Sequence, residues 1–294
     1  MRGQVKIYQS KLAARRRRRA LLLTLYSVAA AGLIFCGLSY VSHLEALSIQ
    51  TIAIEGNSRV SSSTLEAALS KELAGNYGYF FSKRNVLLYP EDAIRADVLA
   101  LPPIKTAEIS RRDIRTLVVS VTERQETGRW CSGRTGAATL GASADCYSID
   151  ENGFIFSKES SCAAADRAAG AGVPGACKGF IYRGLVEGDP IGANLLPADD
   201  FKKIRFFMDE LAGLSVDPRE AELSGSTTTA AYMTVRLGGG GRLVVNTADD
   251  LSVVLGNIAA VISDKAIAPS LSGFLNKLDY MKLDVGNKVV YKLK

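Results

Sequence analysis

A run of 22 residues without a charge, Ala20 to Val41 (ALLLTLYSVAAAGLIFCGLSYV), places the first constraint on this chain. As an α-helix it would be about 33 Å long, enough for the ~30 Å hydrocarbon core of a bilayer. Arg15 to Arg19 abut its N-terminal side. By the positive-inside rule they put residues 1–19 in the cytoplasm and residues 43–294 on the far side of the membrane. Tyr40 and His43 fall where interfacial residues sit. A cleaved signal peptide is the rival, and Ala29-Ala30-Ala31 offers small residues to a peptidase. The apolar region of such a peptide is about 7–15 residues, and this one is longer. Residues 20–42 therefore read as an uncleaved transmembrane helix whose partner is the lipid bilayer. The arginines read as a topology signal rather than a nucleic-acid or specific lipid site.

The net charge of +6 belongs to that tail. Residues 1–19 hold eight of the 36 basic residues and no acid, which leaves 28 basic against 30 acidic residues in the body. A near-neutral body argues against a nucleic-acid-binding face. The apolar share of 47% and charged share of 22% are those of a folded protein. His43 is the only histidine, which removes most Ser-His, Cys-His and His-metal chemistry. No GxSxG, HExxH or paired-Cys motif is present. Asp150-Glu151 sit in a turn, and Asp199-Asp200 and Asp249-Asp250 at helix starts, where capping and the helix dipole account for them. No catalytic residue, cofactor, metal site or small-molecule substrate is expected.

The stretch Ile49 to Trp130 carries the clearest pattern. Ile52 and Ile54 alternate with polar or small neighbours as in a half-buried strand, and Gly56-Asn57 is a turn signal. Ser63 with Glu66 fits a capping box, and Leu65, Leu69 and Leu73 make one helix stripe ending at Gly75-Asn76. Pro90, Glu91 and Asp92 open a second helix with Ile94, Val98 and Leu101, which Pro102-Pro103 stops. Ala107-Ile109-Arg111 and Leu117-Val119-Val121 alternate as two strands joined by Arg112–Arg115. Glu123 and Arg124 are neighbours on a strand and face opposite sides, so they cannot form an acid/base pair.

This β-α-α-β-β order resembles a POTRA domain. The motifs that carry the likeness are Ile-Glu-Gly-Asn (54–57), Leu-Pro-Pro-Ile…Ala…Ile (101–109), Arg111 and Val-Thr-Glu-Arg (121–124). One such domain beside one anchor with a short basic tail resembles the FtsQ/DivIB family of bacterial cell-division proteins. Glu123-Arg124 with Trp130 six residues on from the arginine fits that family. Where the family usually has a proline two residues after the arginine, this chain has Glu126.

Cys146 to Phe156 (CYSIDENGFIF) reads as strand, turn, strand, and resembles the family's tyrosine–x–isoleucine–aspartate–x–x–glycine hairpin. Residues 132–145 and 157–179 around it are rich in Gly, Ala and Ser and read as loops. Cys131, Cys146, Cys162 and Cys177 are an even set outside the cytoplasm, which favours disulfides over free thiols. Three pairings are open, of which the local one closes two loops of similar length. The absence of C-x-x-C spacing argues against a four-cysteine zinc site. Cys36 lies within the anchor. Further on, Phe201, Ile204, Met208 and Leu211 mark one helix, and Leu251, Leu255, Ile258 and Ile262 another. Gly238–Gly241 joins two strands and lacks the Lys-Ser/Thr of a phosphate loop. The chain closes on two strands around Gly286-Asn287, again resembling the family. There Met281-Lys282-Leu283-Asp284 keeps the apolar alternation and exchanges the family's charges.

The expected fold is α+β: a tail (1–19), one transmembrane helix (20–42), a POTRA domain (43–125), and a mostly antiparallel β domain with packed helices (126–294). The resemblance implies a non-catalytic scaffold of the divisome at the septum of the cytoplasmic membrane. It would recruit FtsB/DivIC-like and FtsL-like partners and regulate septal peptidoglycan synthesis. Docking would run by strand addition to the free edge of the last strand, with Tyr280, Lys288, Val289, Val290, Tyr291 and Lys292 as contacts. The other reading is a POTRA-containing, membrane-anchored factor in protein translocation or envelope assembly. That class would normally carry repeated POTRA units or a barrel pattern.

Overall fold

A computed structural model describes residues 11–133, 145–159, 179–226, 229–285 and 288–294. The chain forms two compact units. One comprises residues up to 101 with 106–122, the other 102–105 with 123–294. The fold is α+β.

The first unit opens with α1 (Lys11–Ser42). An 18-residue window within Arg15–Ser42 has a mean hydropathy of 2.1 and none of that window is packed inside the protein, so the helix is long and apolar enough to cross a membrane. Then come β1 (Thr51–Glu55), α2 (Ser62–Glu72), β2 (Asn76–Tyr77), β3 (Phe81–Ser82), α3 (Glu91–Leu99), β4 (Ile104–Arg111) and β5 (Thr116–Glu123). The sheet order is β1-β5-β4, with β1 parallel to β5 from Thr51 opposite Thr116 to Glu55 opposite Ser120. The predicted stripes form the core: Leu65, Leu69, Leu73, Ile94 and Val98 are at most 1% exposed, and β5 buries Leu117, Val119 and Val121. Each such side chain contributes roughly 1.5–3 kcal/mol relative to exposure. Val118 is buried as well, on the strand's other face.

The helix starts differ from the expected ones. Ser61, not Ser63, caps α2, its Oγ accepting from Thr64 N at 3.2 Å. Four consecutive hydroxyl residues could each serve as cap. The upstream chain is fixed by Asn57, whose Nδ2 donates to Val60 O at 2.9 Å and to Ser62 Oγ at 3.1 Å. Pro90 precedes α3 rather than opening it. Gly56 has φ +87°, and a Cβ there would collide with the Val121 carbonyl, so the motif glycine lets β1 leave the sheet beside β5.

The second unit runs β6 (Gly128–Cys131), β7 (Cys146–Ile149), β8 (Ile155–Glu159), β9 (Phe180–Arg183), α4 (Ala198–Gly213), β10 (Pro218–Ser226), β11 (Thr229–Leu237), β12 (Arg242–Asn246), α5 (Leu251–Ser263), α6 (Leu271–Lys277), β13 (Leu278–Val285) and β14 (Lys288–Leu293). One nine-stranded sheet holds all the strands, in the order β14-β13-β12-β11-β10-β9-β6-β7-β8. Five of its eight pairings are antiparallel. The other three, β6 with β9, β9 with β10, and β12 with β13, are parallel. Met233, Val235 and Leu237 of β11 alternate inward, as do Leu243 and Val245 of β12 and Met281 and Leu283 of β13. They share one core with Phe201, Ile204, Phe207, Met208 and Leu211 of α4, Val254 and Ile258 of α5, and Phe274 of α6.

A disulfide joins Cys131 of β6 to Cys146 of β7, which stand opposite each other in the ladder. Cys162 and Cys177 lie outside the described residues. The bridge closes a span of 15 residues, for which chain entropy gives about 3 kcal/mol. The double substitution Cys131→Ser/Cys146→Ser should therefore lower the unfolding free energy of the full chain in detergent by about that amount. Urea unfolding measures it, and an unchanged midpoint would show that the bridge adds nothing.

Candidate partner interface

The residues singled out at the end of the chain come together on one hairpin at one end of the large sheet. β14 pairs with β13 alone among the described residues. Tyr280 stands opposite Lys292, Met281 opposite Tyr291, and Lys282 opposite Val290. Alternation divides β14 into two faces. Val289 packs against the core, and the Tyr291 ring meets Phe274 edge-on at 5.6 Å between centroids. These two side chains are partly committed to the protein's own interior. Lys288, Val290 and Lys292 occupy the other face, with Val290 45% exposed. Lys292 Nζ lies 3.4 Å from the half-buried Asp279, and with the lysine in solvent the pair is worth little by itself. The Arg242 guanidinium sits 5.9 Å from the Tyr280 ring centroid. Lys282 is exposed, and the side chain of Asp284, the other half of the charge exchange, lies outside the described residues.

The β14 edge offers backbone N–H and C=O groups to an extended segment. Its outward side chains provide one apolar residue between two cations. That arrangement suits an incoming strand with an apolar residue flanked by acids.

Of the acids at the helix starts, Asp199, Asp200 and Asp250 have structural roles. Asp250 caps α5, its Oδ1 accepting from Ser252 N at 2.9 Å and Ser252 Oγ at 2.6 Å. Those two hydrogen bonds, the hydroxyl's first, hold its carboxyl below the ordinary carboxylate pKa. Asp200 pairs with Lys203 at 2.9 Å and Asp199 with Lys202 at 3.6 Å, each one turn along α4. A groove of about 660 Å³ lies beside these helix starts, lined by Leu196, Asp200, Lys203, Phe206, Asp249 and Asp250 among others. Among the described residues, no group of three or more His, Cys, Asp or Glu side chains could hold a metal ion.

Asp150 has a larger role than its place in a turn suggests. It is fully buried. Its Oδ1 accepts from Asn152 N at 2.8 Å and Phe154 N at 3.0 Å, and its Oδ2 accepts from Arg124 Nη1 at 2.5 Å. Arg124 Nε donates to Pro102 O at 3.1 Å, and the guanidinium lies 4.0 Å from the Phe154 ring centroid. Next to it, the Lys105 ammonium, hydrogen-bonded at 2.6 Å, holds the Glu151 carboxyl below its usual pKa. That contribution is in place above the ordinary carboxylate pKa and fades as pH falls through the depressed one. Gly153 closes the turn with φ +78°, where a Cβ would come within 2.7 Å of the Phe201 ring. The sequence marks these positions as a motif and hides the ion pair, because Arg124 and Asp150 are 26 residues apart. A second pair is equally hidden, Arg183 Nε to Glu220 Oε1 at 2.8 Å across the parallel strands β9 and β10.

A β-α-α-β-β unit with β1 parallel to β5 is the architecture of a POTRA domain. Residues 47–124 match the family model described as POTRA domain, FtsQ-type, which supports an FtsQ/DivIB-like protein. No significant match to a curated protein was found.

Removing Arg124 would strand a fully buried carboxylate. Arg124→Ala should cost about 3 kcal/mol, and the Arg124→Ala/Asp150→Ala pair less than the sum of the single changes. Urea unfolding of the three variants checks this; additive losses would show that the two side chains are not coupled.

Proposed function

We propose that this protein is a non-catalytic, bitopic membrane scaffold of the bacterial divisome. α1 anchors it in the cytoplasmic membrane, with the basic tail in the cytoplasm and residues 43–294 outside. The observation that carries this reading is the FtsQ-type POTRA match at residues 47–124, directly after a helix of membrane-spanning length. Its partners are FtsB/DivIC-like and FtsL-like membrane proteins, and through them it regulates septal peptidoglycan synthesis. The open edge of β14 supports strand addition as the means of docking. Lys288 and Lys292 discourage self-pairing of that edge while they attract acidic residues on the correct partner.

Partner pull-down tests the reading. Removing residues 287–294 should abolish capture of an FtsB/DivIC-like partner. Val290→Asp changes only an outward side chain and should weaken capture by roughly tenfold, about 1.4 kcal/mol, with unfolding unchanged. Capture at the original affinity in both variants would rule out docking at this edge.

A further inference from the structure

The first unit carries an aromatic hairpin that neither its core nor the proposed docking edge uses. β2 and β3 pair antiparallel around Tyr77-Gly78-Tyr79-Phe80-Phe81. Phe80 N donates to Tyr77 O at 3.1 Å, and the two central residues both have positive φ, +53° at Gly78 and +74° at Tyr79. That is the pattern of a type I′ turn, which favours Gly or Asn at both places. A tyrosine is strained there, and the tip is open to solvent: Tyr79 is 93% exposed and Phe80 51%. Leu87 and Leu88, on the chain just after the hairpin, are also exposed.

The hairpin is tied to the end of α1. The Phe35 ring meets those of Phe80 and Phe81 edge-on, at 5.1 and 5.3 Å between centroids. Ser39 Oγ donates to Phe80 O at 2.6 Å, Ser82 N to Ser42 Oγ at 3.3 Å, and Asn85 Nδ2 to Ser42 O at 3.1 Å. Ser42 and Asn85 are buried. Phe35 and Ser39 belong to the uncharged run. Measured along the helix from Arg19 they lie at about 24 and 30 Å, the outer part and the far boundary of a ~30 Å hydrocarbon core. A group touching both cannot stand clear of the bilayer.

We propose that the β2–β3 hairpin is a second membrane contact, its Tyr77–Phe81 tip resting in the headgroup–acyl boundary of the leaflet from which α1 emerges. The chemistry suits that layer: tyrosines favour the interface, Phe80 and Leu87 reach toward the acyl chains, and Lys83 and Arg84 come next at phosphate level. Lipid is favoured over a protein segment as the occupant because the contacts to Phe35 and Ser39 fix the depth of the hairpin. The connection to the membrane is then rigid, since the unit is held at two points rather than by one helix on a swivel. The inference rests on the proposed anchorage.

Depth-dependent fluorescence quenching tests it on the full chain, reconstituted in phosphatidylcholine/phosphatidylglycerol vesicles. Tyr79→Trp and Phe80→Trp each add a reporter, and the unmodified chain supplies the background of Trp130. Leu33→Trp reports on the helix. Lipid spin-labelled near the headgroup should reduce the added emission of Tyr79→Trp roughly twofold, with little quenching by aqueous iodide. Iodide quenching without lipid quenching at positions 79 and 80, beside normal lipid quenching of Leu33→Trp, would place the hairpin in water and overturn the inference while the anchor stands. Absence of lipid quenching in Leu33→Trp would remove the anchorage and the inference together.

Discussion

The second unit is organised around the fully buried carboxylate of Asp150. Asp150 lies just after β7 with no exposure to solvent, and a charge in that place is tolerable only when it is hydrogen-bonded and paired. Two backbone N–H groups of its own turn and the Arg124 guanidinium satisfy it. The consequence is positional. The turn that reverses β7 into β8 becomes fixed, and so does the chain entering β6, because Arg124 N and Nε also hold Pro103 O and Pro102 O. The strands on either side of this point, β6, β7 and β8, form one end of the large sheet. The ion pair thus contributes less through net energy than through specifying which segments meet.

Local periodicity was enough for much of this fold and insufficient for the rest. The Leu65-Leu69-Leu73 stripe, the Ile94-Val98 pair and the α4 stripe each bury the side chains their spacing predicts, since one helix face is all the information required. The hairpins around 112–115, 150–153 and 238–241 were legible for the same reason. β6 and β9 were not. Each has only four residues, β6 is buried throughout and β9 is mostly half-buried, so no alternation marks them, and their partners in the sheet include strands distant in sequence. The parallel pairing of β12 with β13 depends on the intervening α5 and α6, and α6 carries no long stripe. The cap of α2 moved to Ser61 because four adjacent hydroxyl residues leave the choice to the upstream turn.

The candidate interface shows the same division. Sequence alone placed Lys288 to Lys292 on a terminal strand, which was enough to name the edge. It did not show that Val289 and Tyr291 face inward, with Tyr291 against Phe274, leaving Lys288, Val290 and Lys292 outward. The aromatic tip at Tyr79 was invisible to periodicity because two-residue strands have no period; only the backbone conformation and the contacts to Phe35 and Ser39 give it meaning. The FtsQ-type POTRA match and the anchor-length helix support a divisome-related membrane protein, and the edge of β14 is where the proposed partners would dock. Of the acids at the helix starts, Asp199 and Asp200 are engaged in ion pairs along α4 and Asp250 caps α5.

Imaging of the full chain with a fluorescent protein on its N-terminal tail, in dividing bacterial cells, tests the central claim most directly. A divisome scaffold predicts a band at mid-cell that appears before constriction. An even distribution around the envelope through the whole cycle would contradict it and favour a role in translocation or envelope assembly.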